Sequence, residues 1–331
     1  MRIAPETIVR TLVCLGLVMG LSIHGSTHAE EGQADTVVMA TTENPQPDVL
    51  PTLRMVKYTS YTTPHLRVWA SFPNVPDFQC DSWCYESGVD FLDARALDGG
   101  RLELRHRVAS RPESLVITTV TPEPGALEFE ARMALDTEQY PEAEMPDQPY
   151  GLNLCFQLGN CPNFTSEPHP LPDFIKRCFI FTEKGRTFLL DTHRAKIPVR
   201  PPDHEYNNPP YVQSYVGVWQ HIPEVRADAP GGYSRDRYVT TVMGAVSRDG
   251  KYLAAIANDS AQAMHQYWHC CFHNNPQWLP LDAPTAERRW RLKVYAMEND
   301  PDALLTRVGK DFPSAKHLHP AEPVPPKPVA E

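Results

Sequence analysis

The chain has 331 residues, a formal net charge of −10 and no dense run of Lys or Arg. That balance argues against a phosphate-rich partner such as nucleic acid, which needs a basic face. The length suffices for one large core or two smaller ones.

The first 29 residues carry Arg2 and Arg10, an apolar run from Thr11 to Ile23, and small residues ending at Ala29 before an acidic start at Glu30. This is the order of a secretory signal peptide, and the run is too short to span a bilayer. Residues 1–29 are therefore expected to be removed on export to a periplasmic or extracellular location, without stable membrane insertion. Residues 30–52 are polar, with Pro45, Pro47 and Pro51, and read as a disordered linker. Residues 313–331 end in Pro320 to Pro328 and read as an extended, disordered tail. Between them, 53–312 shows neither a Gly/Ser hinge nor a repeat, which predicts a single domain.

Within that domain, period two dominates. Leu102, Leu104, His106 and Val108 share one face of a strand, and Arg101, Glu103, Arg105 and Arg107 the other. Leu127, Phe129, Ala131 and Met133 alternate in the same way with Glu128, Glu130 and Arg132, so opposite charges are expected to pair across the wet face. Asp98-Gly-Gly100, Lys184-Gly185 and Asp249-Gly250 supply the positive φ of tight hairpin turns. They predict paired strands over 178–182 and 187–191, and over 238–246 and 251–258. Trp290, Leu292, Val294 and Ala296 mark the buried face of a last strand. A short helix follows: Asp300 caps it, Pro301 occupies its first turn, and Leu304, Leu305 and Val308 form its apolar stripe. The fold class is all-β: a large antiparallel β-sandwich, supersandwich-like, with a short C-terminal helix.

Removal of Cys14 with the signal peptide leaves Cys80, Cys84, Cys155, Cys161, Cys178, Cys270 and Cys271. In an oxidising compartment some are expected to form disulfides, and the couples Cys80/Cys84 and Cys155/Cys161 are close enough in sequence to close short loops.

Two segments gather residues that carry chemistry. In the first, Asp203, His204, Glu205, Asn207 and Asn208 lie between the proline pairs 201–202 and 209–210, which hold a loop out of helix. Asp203 and Glu205 are candidate catalytic bases, and His204, Asn207 and Asn208 candidate ligand-binding residues for sugar hydroxyls. The other reading of this loop is an Asx-rich turn that caps its own backbone. The second segment, Met264 to Trp278, contains His265, His269 and His273, the adjacent Cys270 and Cys271, and two tryptophans. His269 and His273 are candidate catalytic acids; Trp268, Asn274 and Trp278 are candidate ligand-binding residues, the indoles as stacking surfaces. His265 and His269 are candidate ligands of a divalent metal. A continuous strand would separate His265 from His273 by about 26 Å, so only a helix or a bend brings two of them to about 2 Å from one ion. His106, alone on an apolar face, reads as a core histidine. No GxSxG, HExxH, phosphate loop or dinucleotide fingerprint occurs.

The runs Leu102 to Val108 and Val116 to Arg132 resemble the paired strands of galactose-mutarotase-like supersandwich domains. That likeness implies a large β-sandwich whose concave sheet faces a sugar. It rests on a strand pattern and transfers no catalytic residue. The stretches Lys176 to Phe181, Asp203 to Pro210 and His273 to Trp278 resemble uncharacterised exported proteins of planctomycete-type bacteria, which imply no activity. The reading is an exported protein that binds, and in its extended form processes, a carbohydrate at a site shared by the 203–208 and 265–278 segments. The alternative is a non-enzymatic envelope protein whose His/Cys cluster is stabilised by a metal or a disulfide.

Overall fold

A computed structural model describes residues 36–43, 45–58, 65–75, 79–83, 89–108, 111–144, 154–158, 161–165, 173–193, 213–220, 233–259, 261–266, 270–276, 279–280 and 287–313. In chain order the strands begin with β1 (Thr36–Thr41), β2 (Thr52–Tyr58), β3 (His65–Ser71) and β4 (Gln79–Trp83). A meander follows, of β5 (Val89–Leu97), β6 (Arg101–Val108), β7 (Arg111–Glu123) and β8 (Ala126–Leu135). Next come β9 (Leu154–Gln157), β10 (Cys178–Thr182), β11 (Gly185–Phe188) and β12 (Gln213–Tyr215). The last group is β13 (Val242–Val246), β14 (Tyr252–Asn258), β15 (Ala261–Gln266), β16 (Cys271–Pro276), β17 (Leu279–Pro280) and β18 (Arg288–Glu298). One helix, α1 (Pro301–Asp311), follows them.

The strands form two antiparallel sheets. Sheet I runs β1-β2-β3-β4-β9-β16-β15-β12, and sheet II runs β11-β10-β13-β14-β18-β8-β7-β6-β5, with β17 added on β18. The expected all-β sandwich with its short helix is the observed fold.

Alternation explains how the sheets meet. Leu53, Met55, Val68, Ala70, Leu154, Phe156, Met264 and Phe272 of sheet I pack in one buried cluster with Leu102, Leu104, Val116, Val120, Leu127, Phe129, Trp290 and Leu292 of sheet II. Each fully buried Leu, Val or Phe contributes about 1.5–3 kcal/mol relative to exposure, which is what holds two sheets face to face. Phe272 lies 5.5 Å from Phe174 and 6.3 Å from Phe156, ring centre to ring centre. His106 sits on this inner face, 1 % exposed, as its lone place in an apolar pattern implies.

The opposite face of sheet II carries a second, smaller core. Ala126, Phe179, Val242, Leu253, Ala255 and Tyr295 meet Leu304, Val308 and Phe312 from α1 and the residue after it. The Asp300 carboxylate accepts from the Asp302 and Ala303 amides at 3.0 and 2.9 Å, and Pro301 starts the helix, both as expected. The wet edge of the same face carries the expected charge pairs, among them Arg291–Glu128, Arg132–Glu287 at 3.2 Å and Arg95–Glu103 at 2.8 Å.

Three boundaries differ from expectation. Thr36–Thr41, inside the stretch read as a linker, is a strand that pairs with β2. Its Val37-Val-Met-Ala40 run is short but apolar, and β2 offers it an open edge. The expected strand 187–191 stops at Phe188 and turns into a 3-10 turn over Leu189–Asp191. Tyr238 lies ahead of β13 and makes only an isolated bridge to Gly217. The turns themselves are as expected, with Gly185 at φ +86° and Gly250 at φ +77°. Among the described residues, no helix is long and apolar enough to cross a membrane.

Candidate metal centre

The chain between Gln266 and Cys271 reverses, so the segment around His265 to His273 is two strands and not one. His265 of β15 stands opposite His273 of β16 in antiparallel register. The row continues on both sides: Ser214 of β12 is opposite His265, and Cys155 of β9 is opposite His273. Register partners project on the same face of a sheet, and residues two apart along a strand share that face. Ser214, His265, His273 and Cys155 therefore form one transverse row on one face of sheet I. Cys271, two residues before His273 and paired with Gln157, joins them on that face. The intervening residues Tyr215, Met264, Phe272 and Phe156 point into the core between the sheets.

This arrangement corrects the strand arithmetic. The 26 Å separation applied to a continuous strand; in the hairpin, His265 and His273 are direct neighbours.

Three ligand-type side chains converge at the centre of the row. The Sγ atoms of Cys155 and Cys271 and an imidazole nitrogen of His273 all lie within 4.8 Å of one another. All three residues are buried, Cys155 at 1 %, Cys271 at 0 % and His273 at 7 % exposure. Gln157 donates its amide N–H to the Cys155 sulfur at 3.4 Å. Burial by itself raises the Cys155 thiol pKa. A hydrogen bond with Cys271, the charge and hydrogen bond of His273, and the Gln157 amide outweigh it and hold Cys155 well below the ordinary thiol value. These partners favour the charged form of Cys155 against the cost of its burial.

His265 flanks this group without belonging to it. Its Nδ1 is 2.7 Å from the Ser214 hydroxyl, and its ring lies 6.5 Å from that of Tyr233, centre to centre. Burial, reinforced by the nearby His273, lowers its pKa to about 3, so at neutral pH it is an uncharged imidazole.

Two sulfurs and one imidazole suit two chemistries. A thiolate beside an imidazole is a nucleophile in many enzymes, but a nucleophile must meet its substrate, and the Cys155 residue is 1 % exposed. The same donor set binds zinc, copper(I) and related soft or borderline ions, for which burial is no obstacle.

Of the residues expected to form a site, Asp203, His204, Glu205, Asn207, Asn208, Trp268, His269 and Trp278 lie outside the described residues. Cys80 and Cys84 belong with them so far as their side chains are concerned. His273 is in the cluster, with Cys155 and Cys271 as its partners. Asn274 is on the other face of β16: its Oδ1 accepts from Asn258 Nδ2 and its Nδ2 donates to the Thr241 carbonyl at 3.3 Å. It therefore shares no wall with His273 and links the two sheets. Cys155, Cys161, Cys178, Cys270 and Cys271 all carry thiols, so no disulfide joins Cys155 to Cys161 or Cys270 to Cys271.

Sequence reasoning missed Cys155 as a site residue and held Cys271 only within the His/Cys cluster of the alternative reading. The available signal was the pattern Ala261, Ala263, His265 set against Cys271, His273, Asn275, two alternating runs separated by a hairpin-length gap. Nothing in it named β9 as the next strand.

No protein-family model and no curated protein matches the chain. Among solved structures, the crystal structure of the Slr1438 protein from Synechocystis sp. PCC 6803 is similar with a TM-score of 0.33 at 11 % identity, over 83 % of this chain and 99 % of that one.

Proposed function

We propose that this is an exported β-sandwich protein that binds a transition-metal ion through Cys155, Cys271 and His273. The observation that supports it is the convergence of three buried donor atoms, two thiol sulfurs and an imidazole nitrogen, within 4.8 Å of one another. A bound cation stabilises a buried thiolate directly, since a coordinating thiol gives up its proton to the metal. The donors come from strands joined only through tertiary structure, so the unfolded chain offers no such site. An ion held at about 1,000 times its Kd then stabilises the fold by about 4 kcal/mol.

This reading is preferred to a carbohydrate site. The latter draws mainly on the 203–208 loop, Trp268 and Trp278, while its remaining members, His273 and Asn274, are buried on opposite faces of one strand.

The test is elemental analysis and zinc titration of the reduced, folded full chain, followed by melting scans with and without chelator. One bound ion per chain, lost in Cys271→Ser and His273→Ala, and a chelator-lowered Tm are expected. A reduced, folded chain that takes up no ion removes the proposal.

A further inference from the structure

We propose that His265 is the fourth ligand of this centre, completing a closed site of two sulfurs and two nitrogens for a divalent, zinc-type ion, and that the Ser214 hydroxyl orients its ring. The inference rests on the metal-binding reading above and deepens it.

Two thiolates, neutral imidazoles and a divalent cation sum to zero, whereas a monovalent ion leaves a net negative charge in a site whose three residues are at most 7 % exposed. Burial favours the neutral sum. Structural zinc sites of this kind are four-coordinate and closed, so three donors leave one position to fill.

Position in the sheet selects the residue. In the row across sheet I, His273 has Cys155 on one side and His265 on the other, each in direct register with it. All three project on the same face, so His265 approaches from the side opposite Cys155. Asn274 and Phe272 point the other way, and the Gln157 amide is donated to the Cys155 sulfur.

The hydrogen bond of His265 also suits a ligand. A metal-bound histidine commonly donates one ring N–H to a fixed acceptor, which leaves the other nitrogen as the lone-pair donor. Ser214 Oγ lies 2.7 Å from Nδ1 and is anchored on β12, directly opposite His265 in register. In the tautomer that donates Nδ1–H to that oxygen, Nε2 carries the lone pair that a metal requires. The imidazole nitrogens of His265 lie outside the 4.8 Å group of the other three donors, so loading draws the ring inward by side-chain rotation. The Ser214 hydroxyl, which turns about its own Cα–Cβ bond, follows it.

The experiment replaces zinc by cobalt(II) in the reduced full chain and reads the visible spectrum, the sulfur and nitrogen count by X-ray absorption, and the affinity by competition. Wild type is expected to give a four-coordinate spectrum with two sulfurs and two nitrogens. His265→Ala loses one nitrogen and binds at least about tenfold more weakly. Ser214→Ala keeps the ligand count and weakens binding about 10- to 100-fold, as loss of a supporting hydrogen bond does. Should His265→Ala fail to fold, His265→Cys keeps a ligand at the position and is expected to shift the spectrum to that of three sulfurs and one nitrogen. A His265→Ala or His265→Cys protein with wild-type affinity and an unchanged sulfur and nitrogen count overturns the fourth-ligand assignment and leaves the three-ligand site standing. A wild-type chain that binds no cobalt removes both.

Discussion

Asn258 and Asn274 link the two sheets of the sandwich through a side-chain hydrogen bond across their shared, largely apolar interior. Asn258 ends β14 in sheet II and donates through Nδ2 to Asn274 Oδ1 in β16 of sheet I, while Thr241 Oγ1 donates to the Asn258 carbonyl at 2.7 Å. Both asparagines are fully buried. Removing one partner takes a hydrogen bond from the other amide at a fully buried position. Asn274→Ala is expected to cost about 1–3 kcal/mol through the lost hydrogen bond. Urea unfolding checks this, and the double variant Asn258→Ala/Asn274→Ala should cost clearly less than the sum of the singles.

Acid should destabilise the core at His106. Its register neighbours are Phe91 and Val116, and burial lowers its pKa from 6.5 to about 3. Above pH 6.5 the ring is neutral in both folded and unfolded chains, and the fold bears no proton-linked cost. Between about pH 6.5 and 3 the unfolded chain takes up a proton that the folded one does not, so stability falls as pH falls, by up to about 1.4 kcal/mol per pH unit. Denaturation midpoints measured from about pH 7 to 4 should flatten in His106→Leu relative to wild type.

Lys293 clamps α1 to sheet II. Its ammonium lies 2.7 and 2.9 Å from the Glu123 carboxylate and 3.3 Å from Asp311, and the lysine side chain is only 5 % exposed. Arg307 of the helix stands 3.8 Å from Glu123 and 3.9 Å from Asp311. Lys293→Met keeps the buried stem but leaves two carboxylates short of a cation, and is expected to cost about 1–3 kcal/mol, since both acids retain Arg307 and some solvent. Adding Glu123→Gln should recover part of that loss. Hydrogen exchange of the α1 amides should rise in the single variant first.

The helix start offers a simpler check. Asp300→Ala removes the acceptor of two first-turn amides and should lower stability by about 1 kcal/mol, with Asp300→Asn nearly silent. Thermal melts of the three proteins decide it.

Much of the fold was legible because it rests on local patterns. Leu102 and Leu104 in β6, Leu127 and Phe129 in β8, and Trp290 and Leu292 in β18 announce a buried face by alternation alone. Asp249-Gly250 and Asp300-Pro301 announce a turn and a helix start by backbone chemistry. The centre was not legible for the opposite reason. Cys155 and Cys271 meet because β9 lies between β4 and β16, and strand order is decided by packing of the whole sheet, with no trace in the spacing of either cysteine. His265 and His273 lay between the two cases. Their segment alternates as a strand should, yet it has no Gly or Pro to mark the reversal before Cys271, so it reads as unbroken.

The place of β9 has one more consequence, for the order in which the protein is assembled. This four-residue strand is gripped by β4, made long before it, and by β16, made more than a hundred residues later. Sheet II is likewise incomplete until β18 arrives to join β8 to β14. Until then both sheets present open edges with no partner, which are prone to pair wrongly. Neither half of the sandwich is a stopping point in synthesis, and the chain commits to its native state only when nearly all of it is present.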